Sequence, residues 1–425
     1  MAEPAAALRT QVARQVAHWS AAAEGLRDLD DMASAQAWAG LESYLGIAVR
    51  RHLTEVVERL LAQAAILRAE LAAARSADEL ERVRRRLVTF AQRYLRAEIT
   101  VDFYTDAVRA RTSPRVAALL RACDILAHRS LVQCLDQLGR PAPVVLSYVD
   151  SGRGAAILKA GLRLWDGASE SPAATIKIAR HNLLRPTALI HETGHQFAHT
   201  CAWTGEFAAA LRQGLPADIA DAWAGWASEV AADAFAFVHT GYASVAALHD
   251  VVAGDTSDVQ RVIPGDPHPP AYLRVLLGVQ MCRTHYGAGP WDELAEAWAD
   301  AHPVRDSRTS DDDALLRNSL PALADVVRLS TDTPMRAFAG RTLSALAPPA
   351  RTHPKALEDL EQRLGPALYH SMHWIWTEAL RLLALTGLHA ATRPERVADT
   401  RRAQEEWMLR LGGSTPNVGT GGEVR

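Results

Sequence analysis

His191-Glu-Thr-Gly-His195 constrains this chain more than any other segment, because it calls for a helix on which two imidazoles and a carboxylate serve one site. On a helix, residues four apart stand one turn and about 6 Å apart on the same face. Both imidazoles can then bind one tetrahedral metal ion through nitrogen, while Glu192 projects beside the open coordination position as a base for water. Pro186 suits the first turn, and Ala188, Leu189 and Ile190 are apolar just before His191, as a buried metal-bearing helix requires. The same pentapeptide also arises where two histidines and an acid serve packing or capping, so its context decides.

That context includes a second apolar segment, 217–239, which reads as one buried helix with Asp218 as N-cap after Pro216 and Gly241 as its stop. Glu229 and Asp233 stand four apart on one face of it. A buried carboxylate pair repels itself unless cations or hydrogen-bond donors compensate. A metal ion would satisfy Glu229, and the outer ring nitrogen of a liganding histidine would satisfy Asp233, fixing its tautomer and direction. The alternative is a solvated acidic stripe, against which Trp226, Phe235 and Phe237 argue.

With HExxH at 191–195 and Glu229-Val-Ala-Ala-Asp233 downstream, the chain resembles the gluzincin zinc metallopeptidases. The resemblance implies Zn2+ held by His191, His195 and Glu229, with Glu192 as general base and Asp233 supporting a ligand from behind. Asp266-Pro-His-Pro-Pro-Ala-Tyr-Leu-Arg274 is similar to the His-Pro and arginine segment of the M48-type peptidases. The likeness spans roughly residues 144–280 and leaves out the long helical segments on either side. It implies an α+β fold that is mainly helical, with a zincin-like core, a small β-sheet and helical flanking regions.

Further candidates surround this set. His199 follows His195 by four residues, but three successive histidines on a straight helix spread over about 12 Å and cannot surround one tetrahedral ion. It is therefore read as a supporting or structural histidine. The metzincin pattern fails, because it needs glycine and histidine where Ala198 and Cys201 stand. His268, in a loop restrained by Pro264, Pro267, Pro269 and Pro270, could donate to the oxyanion that forms when water attacks a carbonyl, or could simply cap its turn. Arg274 could orient a carboxylate or the substrate backbone, and Tyr272 is a less specific oxyanion donor. Segment 175–180, with Lys177, is the expected edge strand for pairing with an extended peptide.

The organisation that follows is a helical bundle over 1–140, a catalytic core over 141–289, a helical region over 290–411 and a flexible glycine-rich tail over 412–425. Strands are expected at 144–148, 157–165 and 174–179, and helices from Leu41 through Ala73, after the Ser76–Glu79 capping box, after Ser113-Pro114, after Ser310 and from His353-Pro354 through Leu364. A net charge of −3 gives no reason to expect nucleic acid, and Arg82, Arg84, Arg85 and Arg86 read as a solvated helix face diluted by Glu79 and Glu81. Four widely spaced cysteines, no signal-peptide pattern and no run of about 18 apolar residues point to a soluble cytoplasmic protein without stable membrane insertion, with signal-independent export left open. The expected function is a zinc-dependent endopeptidase acting on a peptide or protein substrate, with a regulatory or recruiting protein partner for the flanks. Aminopeptidase action and a non-enzymatic, zinc-stabilised interaction module are the alternatives.

Overall fold

Well-marked starts and stops divide the chain into helices. A computed structural model describes residues 2–150, 156–162, 170–304 and 311–413. The fold is mostly helical, 76%, with a single three-stranded sheet among the described residues, which places it in the mainly helical α+β class. The chain packs as two compact units, Met1–Ser113 with Leu158–Thr175, and Pro114–Ile157 with Ile176–Thr415.

The first unit is built on α1 (Ala2–Gly25), α2 (Ala35–Leu45), α3 (Val49–Ala73) and α4 (Ala77–Arg109). The expected continuous run from Leu41 to Ala73 is two helices, because Gly46 turns left-handed (φ 68°) and closes α2. Ser76 and Glu79 form the capping box that starts α4. Buried Leu80, Val83, Leu87 and Phe90 recur along the inner face of α4, and Leu53, Val56, Leu60 and Leu67 along that of α3. Near the far end of α4, the buried Tyr104 hydroxyl donates to the carbonyl of Ala173 at 3.0 Å and accepts from its N–H at 3.2 Å.

In the second unit, α5 (Pro114–Leu135) starts on its proline, and buried Asp124 accepts from both the N–H (2.6 Å) and the hydroxyl (2.7 Å) of Ser147. Those bonds tie α5 to β1 (Val145–Asp150), which with β2 (Ala156–Leu158) and β3 (Ala174–Ala179) forms a sheet of order β1-β3-β2. The expected strand at 157–165 is thus the three-residue β2, and 163–169 lie outside the described residues. One expectation is overturned here: β3 is the central strand, with a neighbour on each side, so it is not the edge to which a peptide adds. Thr175 and Ile176 are fully buried, and only Lys177 on this strand is partly exposed.

Next come α6 (Thr187–Cys201), α7 (Trp203–Gly214), α8 (Ala217–Gly225), α9 (Ala227–Thr240), α10 (Tyr242–Val252), the single turn α11 (Thr256–Val259) and α12 (Ala271–Tyr286). Segment 217–239 is therefore two helices, broken at Trp226 (φ −89°, ψ 2°), and Pro216 holds the cap position while Asp218 falls in the first turn. Gly241 does stop α9, at φ 58° and ψ −139°, a backbone region open essentially to glycine. Helices from Pro290–Ala301 to Val397–Gly413 complete the unit, with Pro354–Leu364 at its expected bounds. Gly412 and Gly413, which the sequence assigns to the tail, instead close the last helix. Gly412 is buried, and its carbonyl accepts from Arg121 Nε of α5 at 2.7 Å. Ser310 and residues from 414 onward lie outside the described residues. No helix among those described is long and apolar enough to cross a membrane.

Candidate metal site

Small residues let α6 and α9 meet at close range. Gly194 lies against α9 so tightly that an added Cβ would stand 2.8 Å from Ala232 Cα and 3.0 Å from Phe235 Cβ. Phe197 of α6 stacks on Phe235 of α9, centroids 5.0 Å apart, and on Phe338 at 5.4 Å, forming an apolar floor behind the contact. The motif glycine thus sets the distance between the histidine-bearing helix and the carboxylate-bearing one.

Across that contact, His191 Nε2 lies 3.3 Å from Glu229 Oε2, and His195 Nε2 lies 3.2 Å from Glu229 Oε1. The two rings are nearly perpendicular, at 86°, with centroids 4.9 Å apart. Metal–nitrogen and metal–oxygen bonds near 2.0 Å at tetrahedral angles put neighbouring ligand atoms about 3.3 Å apart. The observed separations match that edge length. Oε2 of Glu229 is buried and accepts no well-formed hydrogen bond among the described residues, an acceptor that a cation would satisfy. His191, His195 and Glu229 could accordingly hold a metal ion.

Both histidines are aimed by their other nitrogen. His191 Nδ1 is 2.8 Å from Asp233 Oδ1, and His195 Nδ1 is 3.2 Å from the Ser228 hydroxyl. Each Nε2 is thereby left for the cluster. Asp233 is in turn clamped by Arg274 from α12, whose Nε and Nη2 donate at 2.6 and 2.8 Å to its two oxygens. The same guanidinium stands 3.4 Å from Glu229 Oε2. The sequence offers Arg274 to a carboxylate or a substrate backbone; the carboxylate it holds is Asp233.

Among the described residues, Glu192 and Glu229 are buried and Asp233 nearly so, which sets three carboxylates against the guanidinium of Arg274. Burial pushes the Asp233 carboxyl up, but Arg274 and His191 outweigh it and hold the group down at about 2. Burial also pushes Glu229 up, and His191, His195 and Arg274 bring it far below the usual carboxylate range. For His191, burial favours the neutral ring, yet Asp233 and Glu229 raise it to about 9. A proton on His191 answers part of the negative charge, and a dication would answer all of it, displacing that proton.

His268 also reaches the cluster, with Nε2 3.5 Å from Glu229 Oε2 while the side chain stays half exposed. Asp266 takes its backbone N–H at 2.9 Å and sits 2.7 Å from Nδ1. These bonds hold the Asp266 carboxyl below its ordinary value. The remaining candidates lie apart. His199 is exposed in the last turn of α6 and is not among the grouped ligands. Lys177 pairs with Asp150 at 3.8 Å rather than with the cluster. Tyr272 is buried in the first turn of α12, where burial raises its hydroxyl, and its carbonyl accepts from Trp298 Nε1 at 3.3 Å.

Sequence reasoning misses Ser228 and Asp266. Both adjoin or nearly adjoin a singled-out residue, Glu229 and His268, and the neighbouring polar side chain is the only signal the sequence carries for them. No family model, curated protein or solved structure matches this chain.

Proposed function

We propose that this protein is a zinc-dependent peptidase of gluzincin type, with its zincin-like core formed by the sheet and α6 through α12. The observation that carries the reading is the convergence of both Nε2 atoms on Glu229, each histidine held from behind and a buried glutamate, Glu192, beside the first of them. His191, His195 and Glu229 would hold the ion; two nitrogens and a carboxylate oxygen with one position left open are a donor set suited to Zn2+. Once bound, Zn2+ supplies Lewis acidity, which polarises a carbonyl and lowers the pKa of water.

The chain's own residues supply the rest. Glu192 takes the proton of the attacking water and delivers it to the leaving amine. His268 donates from Nε2 to the oxygen on which negative charge grows, and Asp266 at Nδ1 holds the ring in that direction. Arg274 and Asp233 act through His191, fixing its ring and neutralising the pocket behind it. Hydrolysis of a diverse peptide library by zinc-loaded and by chelator-stripped protein tests the reading. Internal cleavage that disappears with the metal and returns on its restoration is expected. Stoichiometric zinc without turnover on any peptide or unfolded protein would instead favour the zinc-stabilised interaction module.

A further inference from the structure

The outward face of α4, opposite the face that packs into the first unit, carries Val88, Leu95 and Ile99, which are 50%, 46% and 52% exposed. Their spacing of seven and four puts them in one stripe, with Gln92 between them. Ile66 of α3, 58% exposed, lies alongside, bracketed by Gln63, which accepts from Arg93, and Glu70, which pairs with Arg86. Four of the eight exposed large apolar side chains among the described residues therefore gather in one place.

The ends of the stripe differ in charge. Continuing the heptad toward the N-terminus reaches Arg85, whose side chain is 75% exposed in a run with Arg82, Arg84 and Arg86. Continuing it toward the C-terminus reaches Asp102, exposed and without an ion pair among the described residues. Partial burial of the Asp102 carboxyl raises it above its ordinary value, Glu98 and Asp106 raise it further, and Arg109 only partly offsets them. A chain running antiparallel would bring its own basic end to this acidic one.

We infer that α4 is a homodimer interface, in which a second copy of this chain packs its α4 antiparallel across a two-fold axis passing between Gln92 and Leu95. In that register Val88 faces Ile99 of the other copy, Gln92 faces Leu95, and Arg85 faces Asp102, each pair twice by symmetry. The flanking pairs, Thr89 with Arg96 and Ala91 with Glu98, bring no like charges together. Parallel pairing would instead set Arg85 against Arg85 and Asp102 against Asp102, which like-charge repulsion disfavours. The stripe spans 85–102, about 26 Å of helix, so the interface is small and the dimer dissociates in the micromolar range.

Sedimentation velocity of the full-length protein across micromolar concentrations tests this. A concentration-dependent shift from monomer to dimer is expected, abolished by Leu95→Glu. Because Leu95 is exposed, that variant should keep the wild-type circular dichroism spectrum and melting temperature. Arg85→Asp and Asp102→Arg should each weaken the dimer about tenfold, and the double variant should restore it, since antiparallel pairing alone brings the two exchanged charges together. A chain that stays monomeric throughout, or a double variant no better than the singles, overturns the proposal.

Discussion

Replacing Gly194 by alanine probes the contact on which the whole site depends. The new Cβ would begin 2.8 Å from Ala232 Cα, and ordinary contact starts at 3.4 Å, so α6 and α9 must part by 0.6 Å or more (3.4 − 2.8). Neither neighbour is the free end of a flexible side chain: one is backbone and the other is the Cβ of a stacked phenylalanine. Overpacking of this kind costs about 1–3 kcal/mol. Helix propensity alone favours alanine over glycine by about 1 kcal/mol. The net change is a loss of up to about 2 kcal/mol, modest enough to leave a folded protein. The effect on the ion should be larger. His191 and His195 move with α6 and Glu229 with α9, so separations of 3.3 and 3.2 Å open toward about 4 Å, beyond the roughly ±0.2 Å tolerance of metal–ligand bonds. Titration against a chromophoric zinc chelator should show affinity lowered at least about tenfold, with a near-native circular dichroism spectrum. A Gly194→Ala variant that melts higher than wild type and binds zinc equally well would refute the close approach.

Three other expectations follow. Arg274→Met leaves Asp233 and Glu229 buried without their guanidinium, and should cost about 3–5 kcal/mol in denaturant titrations run in chelator, with lysine restoring only part because it cannot grip both oxygens. His268→Ala should lower peptide turnover while leaving zinc affinity nearly unchanged; an affinity loss equal to that of Glu229→Ala would make His268 a ligand instead. His239, packed on Phe235 and 3.7 Å from Cys134 Sγ, is driven by burial to about 3, so the folded chain keeps it neutral where the unfolded chain, titrating near about 6.5, takes a proton. Stability should therefore fall as pH drops from about 6.5 toward 3, by at most about 1.4 kcal/mol per pH unit from this group, and His239→Phe should flatten the wild-type slope by that difference in urea titrations.

What the sequence makes legible is chiefly what is local. The capping box at Ser76, the proline start of α5, the bounds of β3 and the stop at Gly241 all rest on nearest-neighbour chemistry and are found where the residues place them. That Asp233 backs one of the motif histidines is legible too, because helical periodicity puts it on a face that a buried partner must answer; that the partner is His191 shows only in the packed structure. Strand order is not: which of three short strands lies in the middle depends on non-local pairing, and β3, an edge by its sequence, has neighbours on both sides. The break at Trp226 is marked only by Gly225, the last residue of α8, a signal that the continuous apolar pattern across 217–239 overrides. Gly194 reads as filler inside the motif, since a close approach shows only once the opposing helix is in place. Arg274, a candidate substrate contact by sequence, instead holds Asp233, a role settled by where α12 packs rather than by its own neighbours.

The central claim is that Glu192 performs proton transfer at a zinc site it does not help to build, and Glu192→Gln tests it most directly. Glutamine keeps the shape of the buried side chain but cannot act as the same base. Zinc content and peptide hydrolysis should be measured side by side on the same purified samples of variant and wild type. The account predicts about one zinc per chain in both and turnover reduced by a factor of about 100 or more in the variant. Wild-type rates of hydrolysis by a rigorously purified, zinc-loaded Glu192→Gln variant would contradict it.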